Sequence, residues 1–154
     1  MAVYYINTIN EVAKLKITEV RDKYHFTNFK IKGVNVRIYN RNDNIDNDIE
    51  KLQVIINKGS LSKYSSIEKE AFKYLDSIKE DWETSKEVIN KYKTPDVIDF
   101  RSYNTPDKYG HTSVFYFMYN NKGKEEFFGG HSLCVNVFMN EDGSIGKYSY
   151  DLEG

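Results

Sequence analysis

The chain has 154 residues, of which 22 are basic and 23 acidic, so its formal net charge is −1. This length suits one domain with a single core, and we expect residues 1–154 to form a single domain. A protein that binds nucleic acid by neutralising phosphates normally has a basic excess, so the composition argues against a nucleic-acid partner. The one cysteine cannot form an internal disulfide, which suits a reducing compartment.

The N-terminal stretch MAVYYINTINEVAKLKI lacks the features of a signal peptide, because it has no basic start, no long apolar run and no small-residue cleavage site. No apolar run in the chain approaches the roughly 20 residues of a membrane helix. We therefore expect a cytoplasmic protein with no membrane partner.

The first third of the chain has a strand pattern. HFTNFKIKGVNVRIY alternates apolar and polar residues on either side of Lys32-Gly33, which predicts a hairpin that turns at these two residues. The predicted cross-strand pairs are Ile31 with Val34, Phe29 with Val36, and Thr27 with Ile38.

The middle of the chain has a helical pattern. A first helix is predicted from about Asp46, with acids in its first turn and Lys58-Gly59 at its end. A second, longer helix is predicted from Ser65, with Ser65 and Glu68 as a capping box. Its apolar stripe is predicted to face the core. That stripe consists of Ile67, Ala71, Tyr74, Leu75, Ile78, Trp82, Ile89 and Tyr92.

The last third returns to strands. Residues Ser113 to Asn120 are apolar on both faces, which favours an interior strand, and Asp142-Gly143 is a strong two-residue hairpin signal. The predicted pairs are Leu133 with Leu152, Val135 with Tyr150, Val137 with Tyr148, Cys134 with Asp151, Asn136 with Ser149, and Phe138 with Lys147. The whole pattern predicts an α+β fold, in which an N-terminal hairpin and a C-terminal β-meander form an antiparallel sheet with two central helices on one face.

The hairpin register bears on the reactivity of Cys134. His131 and Cys134 are three residues apart, and an odd separation along a strand places side chains on opposite faces. A thiolate–imidazole pair needs hydrogen-bond reach, so this spacing argues against a Cys–His nucleophile.

Metal and cofactor sites are not predicted. The histidines His25, His111 and His131 are scattered, and no close-spaced Cys or His ligands accompany them. An EF-hand loop counted from Asp46 would place Lys51 where glycine is needed. We therefore expect no bound metal, no cofactor and no catalytic group.

Two groups of acidic residues are candidates for contact with a protein partner, although plain solvated charge is the alternative for each. The first group, which we favour, is Asp43, Asp46, Asp48 and Glu50 at the start of the first helix. The second group is Glu80, Asp81, Glu83 and Glu87 on the polar face of the long helix. His111, in the loop NTPDKYGHTS, is a further candidate because loops on a rigid scaffold carry function.

The layout of strands, helices and strands, with the tail GGHSLCVNVFMNEDGSIGKYSYDLEG, resembles small bacterial α+β domains of unknown function. Several such families are similar to immunity proteins encoded beside polymorphic or contact-dependent toxins. The resemblance implies a stoichiometric inhibitor that blocks a toxin, with no cofactor and no turnover.

Three functions are therefore considered. The first is a non-catalytic protein-binding module, an immunity-type inhibitor that neutralises a toxin acting in the cytosol. The second is a phage or mobile-element protein that binds and antagonises a host defence protein. The third is a small enzyme that uses His111 with Asp107 or Tyr109.

Overall fold

The structure is a computed structural model that describes residues 3–7, 12–20, 23–39 and 45–154, with side chains described in 29–38 and 45–154. Its strands are β1 Val3–Asn7, β2 Val12–Val20, β3 Lys23–Ile31, β4 Val34–Tyr39, β5 Val97–Ser102, β6 His111–Tyr119, β7 Ser132–Asn140 and β8 Ile145–Glu153. Its helices are α1 Ile45–Lys58, α2 Tyr64–Ile78 and α3 Lys86–Lys91, with 3₁₀ turns at Ser60–Lys63, Lys79–Trp82 and Phe128–Gly130. The predicted α+β class is confirmed.

The described strands form one eight-stranded sheet in which β1 to β8 lie side by side in chain order. Neighbouring strands are antiparallel, with one exception, the pair of β4 and β5. These two strands are parallel because the helices between them carry the chain back to the end at which β4 began. The sheet is thus mixed rather than purely antiparallel.

The hairpin of β3 and β4 turns at the predicted residues. Lys32 and Gly33 have φ values of 54° and 79°, and two consecutive positive φ values are what a type I′ hairpin turn requires. Ile31 lies opposite Val34, so the innermost predicted pair is confirmed.

The outer part of this hairpin differs from the prediction. The pairing is irregular between His25 and Lys30, and it places Tyr24 rather than Thr27 opposite Ile38. The Thr27–Ile38 pair was therefore wrong, and the Phe29–Val36 pair falls at the irregular stretch. A strict alternation pattern does not reveal such an irregularity, because it assumes regular pairing from the turn outward.

The first helix has the predicted end. α1 stops at Lys58, and Gly59 follows with a left-handed φ of 74°. The Gly59 N–H donates to the Ile56 carbonyl at 3.0 Å, which satisfies one of the last carbonyls of the helix.

The predicted long helix is interrupted. α2 ends at Ile78, a 3₁₀ turn follows, and Glu83 takes a left-handed φ of 53° before α3 begins. The capping box was also wrong: the N-cap is Lys63 without a side-chain cap, because the preceding 3₁₀ turn runs directly into α2 and leaves Ser65 inside it. The described chain therefore has three helices between the two groups of strands, not two.

The helices bury one face of the sheet. Leu52 of α1, Leu75 of α2 and Ile89 of α3 are fully buried in one apolar cluster with strand residues. The strand members of this cluster are Phe29, Ile31, Val36, Ile38, Ile98, Phe100, Phe115, Phe117, Tyr119, Leu133, Val135, Val137 and Met139. β6, predicted as an interior strand, lies between β5 and β7 and is buried along most of its length.

A short chain of hydrogen bonds crosses this core. The hydroxyls of Tyr64 and Tyr119 lie 2.5 Å apart, and the Tyr119 hydroxyl also donates to the Glu68 carboxylate. Lys32 forms an ion pair with the same carboxylate. Burial raises the pKa of both tyrosines, so the hydroxyls keep their protons. These side-chain contacts link the β3–β4 turn, α2 and β6.

The hairpin of β7 and β8 has all six predicted pairs, from Leu133–Leu152 to Phe138–Lys147. Its turn is different from the prediction. Met139 lies opposite Ile145, and the Asn140 N–H donates to the Ser144 carbonyl at 2.8 Å, which gives a three-residue loop. Gly143 has the positive φ, 86°, of the bulge position that follows a type I turn.

Gly143→Ala should destabilise the protein by more than a positive φ alone accounts for. A Cβ at this position would lie 2.7 Å from the Val54 carbonyl oxygen of α1, while Gly110, with a φ of 82°, has open space around it. Gly110→Ala should cost about 1 kcal/mol of unfolding free energy, and Gly143→Ala about 1–3 kcal/mol more because of the clash. Urea unfolding of both variants tests this, and equal losses would contradict the close approach of the hairpin to α1.

Tyr119→Phe should destabilise the protein by about 1–3 kcal/mol, because it leaves buried hydrogen-bonding groups on Tyr64 and Glu68 without their partner. Tyr148→Phe is the matched control. Its hydroxyl also donates to a glutamate, Glu70 at 2.6 Å, but Tyr148 is 41% exposed and water can replace the lost bond. Thermal melting should show a clear loss for the first variant and almost none for the second.

Candidate protein-binding site

Cys134 lies in β7 as a buried thiol. Burial, and then the Glu153 carboxylate, raise the pKa of this thiol to about 12. His131 precedes the strand, and its Nδ1 donates to the Phe128 carbonyl at 2.9 Å. The His131 ring and the Cys134 thiol therefore have different partners. Cys134 is protonated near neutral pH.

His111 is buried at the start of β6, opposite Asn140. Its Nδ1 lies 3.0 Å from the Asp107 carboxylate. Burial raises the pKa of that carboxyl, but the hydrogen bonds from the backbone N–H groups of His111 and Tyr109, together with the His111 ring, outweigh it, and the net shift is downward. A Cβ on Gly146 would lie 2.7 Å from Nε2, so that edge of the ring faces backbone. This geometry gives His111 the role of fixing the loop before β6.

Within residues 29–38 and 45–154, no three His, Cys, Asp or Glu side chains are placed together in a way that could hold a metal ion. None of the described helices is both long enough and apolar enough to cross a membrane.

The first acidic group does not form one surface. Asp43 lies outside the described residues. Asp46 and Glu50 are exposed on α1, one helical turn apart. Asp48 is 1% exposed and accepts a hydrogen bond from the Ser102 hydroxyl of β5, so its side chain binds the sheet instead of facing solvent.

The second acidic group lies at the break between α2 and α3. Glu80, Asp81 and Glu83 are exposed, and Glu87 is exposed in the first turn of α3. Trp82 lies among them. We refer to residues Glu80 to Glu83 as the Trp82 turn.

Trp82 is 39% exposed, so its predicted place in the core was wrong. The cause is the change of helix type after Ile78. Four residues turn by about 400° around the axis of an α-helix and by about 480° around that of a 3₁₀ helix. Trp82 is therefore rotated by about 80° away from the stripe. The ring thereby leaves the buried face of α2.

Backbone and side-chain hydrogen bonds fix the Trp82 turn. The Thr84 N–H donates to the Lys79 carbonyl at 2.9 Å, and the Phe128 N–H donates to the Thr84 hydroxyl at 3.1 Å. On the far side, the Ser85 hydroxyl caps α3 by accepting from the Val88 N–H at 3.2 Å. The turn is thus held at both ends, and Thr84 is buried beneath it.

One side of the Trp82 ring packs on the segment before β7. The ring centroid lies 4.8 Å from that of His131 and 6.3 Å from that of Phe128, both in edge-to-face geometry. Gly129, with a φ of 64°, passes close to the same ring. These contacts orient the indole and leave the rest of its surface to solvent.

The resulting surface combines an oriented aromatic side chain with the exposed acidic residues next to it in the sequence. Lys79 and Lys86 both form ion pairs with Asp76 at 3.1 Å, so the lysines that flank the turn in the sequence are paired with a different acid. Glu80, Asp81 and Glu83 form no ion pair with another described residue. Chemically, the turn is suited to a partner that offers an apolar pocket with a basic rim.

Comparison with known proteins gives no relative: no family model, no curated protein and no solved structure matches this chain. What the protein does is therefore inferred from its own surface.

The Cys134 thiol should be almost unreactive in the folded protein. A pKa of about 12, against an ordinary value of 9.0, lowers the thiolate fraction at pH 8 about a thousandfold. Labelling with a chromogenic disulfide reagent at pH 8 should be slower in buffer than in urea by at least about 100-fold. Labelling of the folded protein at the denatured rate would instead indicate an accessible, reactive thiolate.

The same shift has a consequence for stability. The unfolded chain loses the thiol proton near pH 9, whereas the folded protein keeps it to about pH 12. Stability should therefore fall as the pH rises through this interval, and Cys134→Ser should remove that contribution.

Proposed function

We propose that this protein is a non-catalytic protein-binding module, an immunity-type inhibitor that neutralises a cytosol-acting toxin by forming a stoichiometric complex. The observation that carries the proposal is the Trp82 turn. It presents an exposed, oriented indole among carboxylates on a well-fixed part of the fold.

Tryptophan is among the residues most enriched at the energetic centre of protein interfaces. Trp82 is the one tryptophan of the chain, and burying its exposed part would remove apolar surface from water. The contacts with His131 and Phe128 already restrict the ring, so little side-chain entropy would be lost on binding. The turn therefore supports binding by a preformed anchor.

The carboxylates indicate the chemistry of the partner. Toxins that attack nucleic acids or nucleotides favour basic clefts, because such clefts attract phosphate groups. Glu80, Asp81 and Glu83 would be complementary to the rim of such a cleft while Trp82 fills an apolar pocket. Asp46 and Glu50 on α1 form a second exposed acidic pair, and they serve as the comparison in the test.

The local geometry of the reactive groups favours this function over a small enzyme built on His111. The ring of His111 is buried, one nitrogen contacts Asp107, and the other faces the backbone of Gly146. A general base must reach the proton that it removes, and this ring has no open path to a substrate in the described geometry.

The test is capture of the partner by pull-down, followed by affinity measurements with matched variants. Trp82→Ala should weaken binding by about 30-fold or more, the effect of losing an interface anchor. It should cost about 1 kcal/mol or less in stability, because the ring is partly exposed. Tyr109→Ala is the matched control, since Tyr109 is a 61% exposed aromatic residue in a different loop.

Charge reversal distinguishes the two acidic surfaces. Glu80→Lys with Asp81→Lys should slow association and make its rate less dependent on salt, whereas Asp46→Lys with Glu50→Lys should leave both nearly unchanged. The opposite pattern, with Trp82→Ala binding normally, would place the interface on α1. A captured protein that is a host defence factor, not a toxin, would favour the phage or mobile-element antagonist.

A further inference from the structure

A groove rich in lysine lies between α2 and the chain from α3 to β5. Its volume is about 390 Å³. Lys69 and Lys73 of α2 line one side, and Lys86 and Lys93 line the other. We refer to it as the lysine groove. Because the whole chain has a net charge of −1, this local concentration of positive charge is not a reflection of its composition.

The carboxylates in the lysine groove are already engaged. Asp76 pairs with Lys79 and Lys86, and its hydrogen bonds to these two lysines lower the pKa of its carboxyl. Glu68 is bound by Lys32 and by the Tyr119 hydroxyl, as part of the hydrogen-bond chain through the core. Neither acid is therefore left to neutralise the remaining lysines.

Three of the lysines are exposed, and none of them has a counter-ion among the described residues. Lys69, Lys73 and Lys93 form no ion pair or hydrogen bond with any residue in the described part of the chain. Lys69 and Lys73 are also one helical turn apart, and like charges at this spacing repel each other. The groove thus keeps an unfavourable charge arrangement that an anion would relieve.

We propose that the lysine groove binds a small phosphate-bearing compound that carries at least two negative charges. Four ammonium groups against two carboxylates leave the lining with two excess positive charges. Lysine is a compact charge that binds phosphate without the fixed geometry of arginine. The volume lies within the range of small-molecule sites, roughly 300–1,000 Å³.

The floor of the groove favours the phosphate group as the main determinant of affinity. Phe72 lines the groove, but it is 7% exposed because its ring packs edge-on against Tyr119 at 5.1 Å. Little aromatic surface is left to stack on a base. Pyrophosphate and a nucleoside triphosphate should therefore bind with similar affinities, and a nucleoside without phosphate should not bind.

The experiment is calorimetric titration of the full-length protein with pyrophosphate, with ATP and with adenosine. Lys69→Ala with Lys73→Ala should weaken pyrophosphate and ATP binding by about tenfold or more. Lys63→Ala with Lys122→Ala is the matched control. It removes the same charge from two exposed lysines outside the groove and should change nothing. Raising the salt concentration should weaken binding by the wild-type protein.

Several results would overturn the proposal. They are the absence of binding by both phosphate compounds, an equal loss in the two double variants, and equal binding of adenosine and ATP. A short single-stranded oligonucleotide that binds much more tightly than ATP would also contradict a small-molecule site. Thermal melting checks that the variants fold, and removing the repelling pair Lys69 and Lys73 should not lower stability. None of these measurements requires the toxin partner, so the result is independent of the proposed function.

Discussion

The contact between α2 and the interior strand β6 is the interaction on which the rest of the structure depends. The Tyr64 ring stacks on Phe117 with centroids 3.7 Å apart, and its hydroxyl meets that of Tyr119. The Tyr119 hydroxyl in turn needs Glu68, and Glu68 needs a cation because its carboxylate is half-buried. Lys32 supplies that cation from the β3–β4 turn, so strands on both sides of the helical segment are fixed to the same helix.

The fixed position of α2 also explains why the helix ends after Ile78. α2 must pass over β6, while the chain has to return to start β5 beside β4 in the parallel direction. The 3₁₀ turn, the left-handed Glu83 and the newly capped α3 make this change of direction within a few residues. The exposed Trp82 is therefore a direct consequence of the topology, and Thr84 anchors the corner to the segment before β7.

Sequence reasoning predicted the features that depend on local chemistry. The left-handed glycine after α1, the turn at Lys32-Gly33 and the β7–β8 register follow from short-range rules. Sequence reasoning failed where tertiary contacts determine the local structure. Trp82 fits a continuous helical stripe, but Thr84 and Ser85, which follow it in the sequence, were an available sign of a new helix start. Similarly, Asp48 precedes Leu52 and Ile55 at helical spacing, which places it on the buried side of α1.

The corner between α2 and α3 separates charge that the sequence shows as nearly balanced. Glu80, Asp81 and Glu83 are exposed beside Trp82, while Asp76, which lines the lysine groove, pairs with Lys79 and Lys86. Opposite charges that were free to pair across this corner would cancel, and neither surface would attract a charged ligand over a distance. Because the turn is held by Thr84 and Ser85, the two sets stay apart. The proposed acidic surface and the proposed anion groove are therefore built from separate sets of side chains.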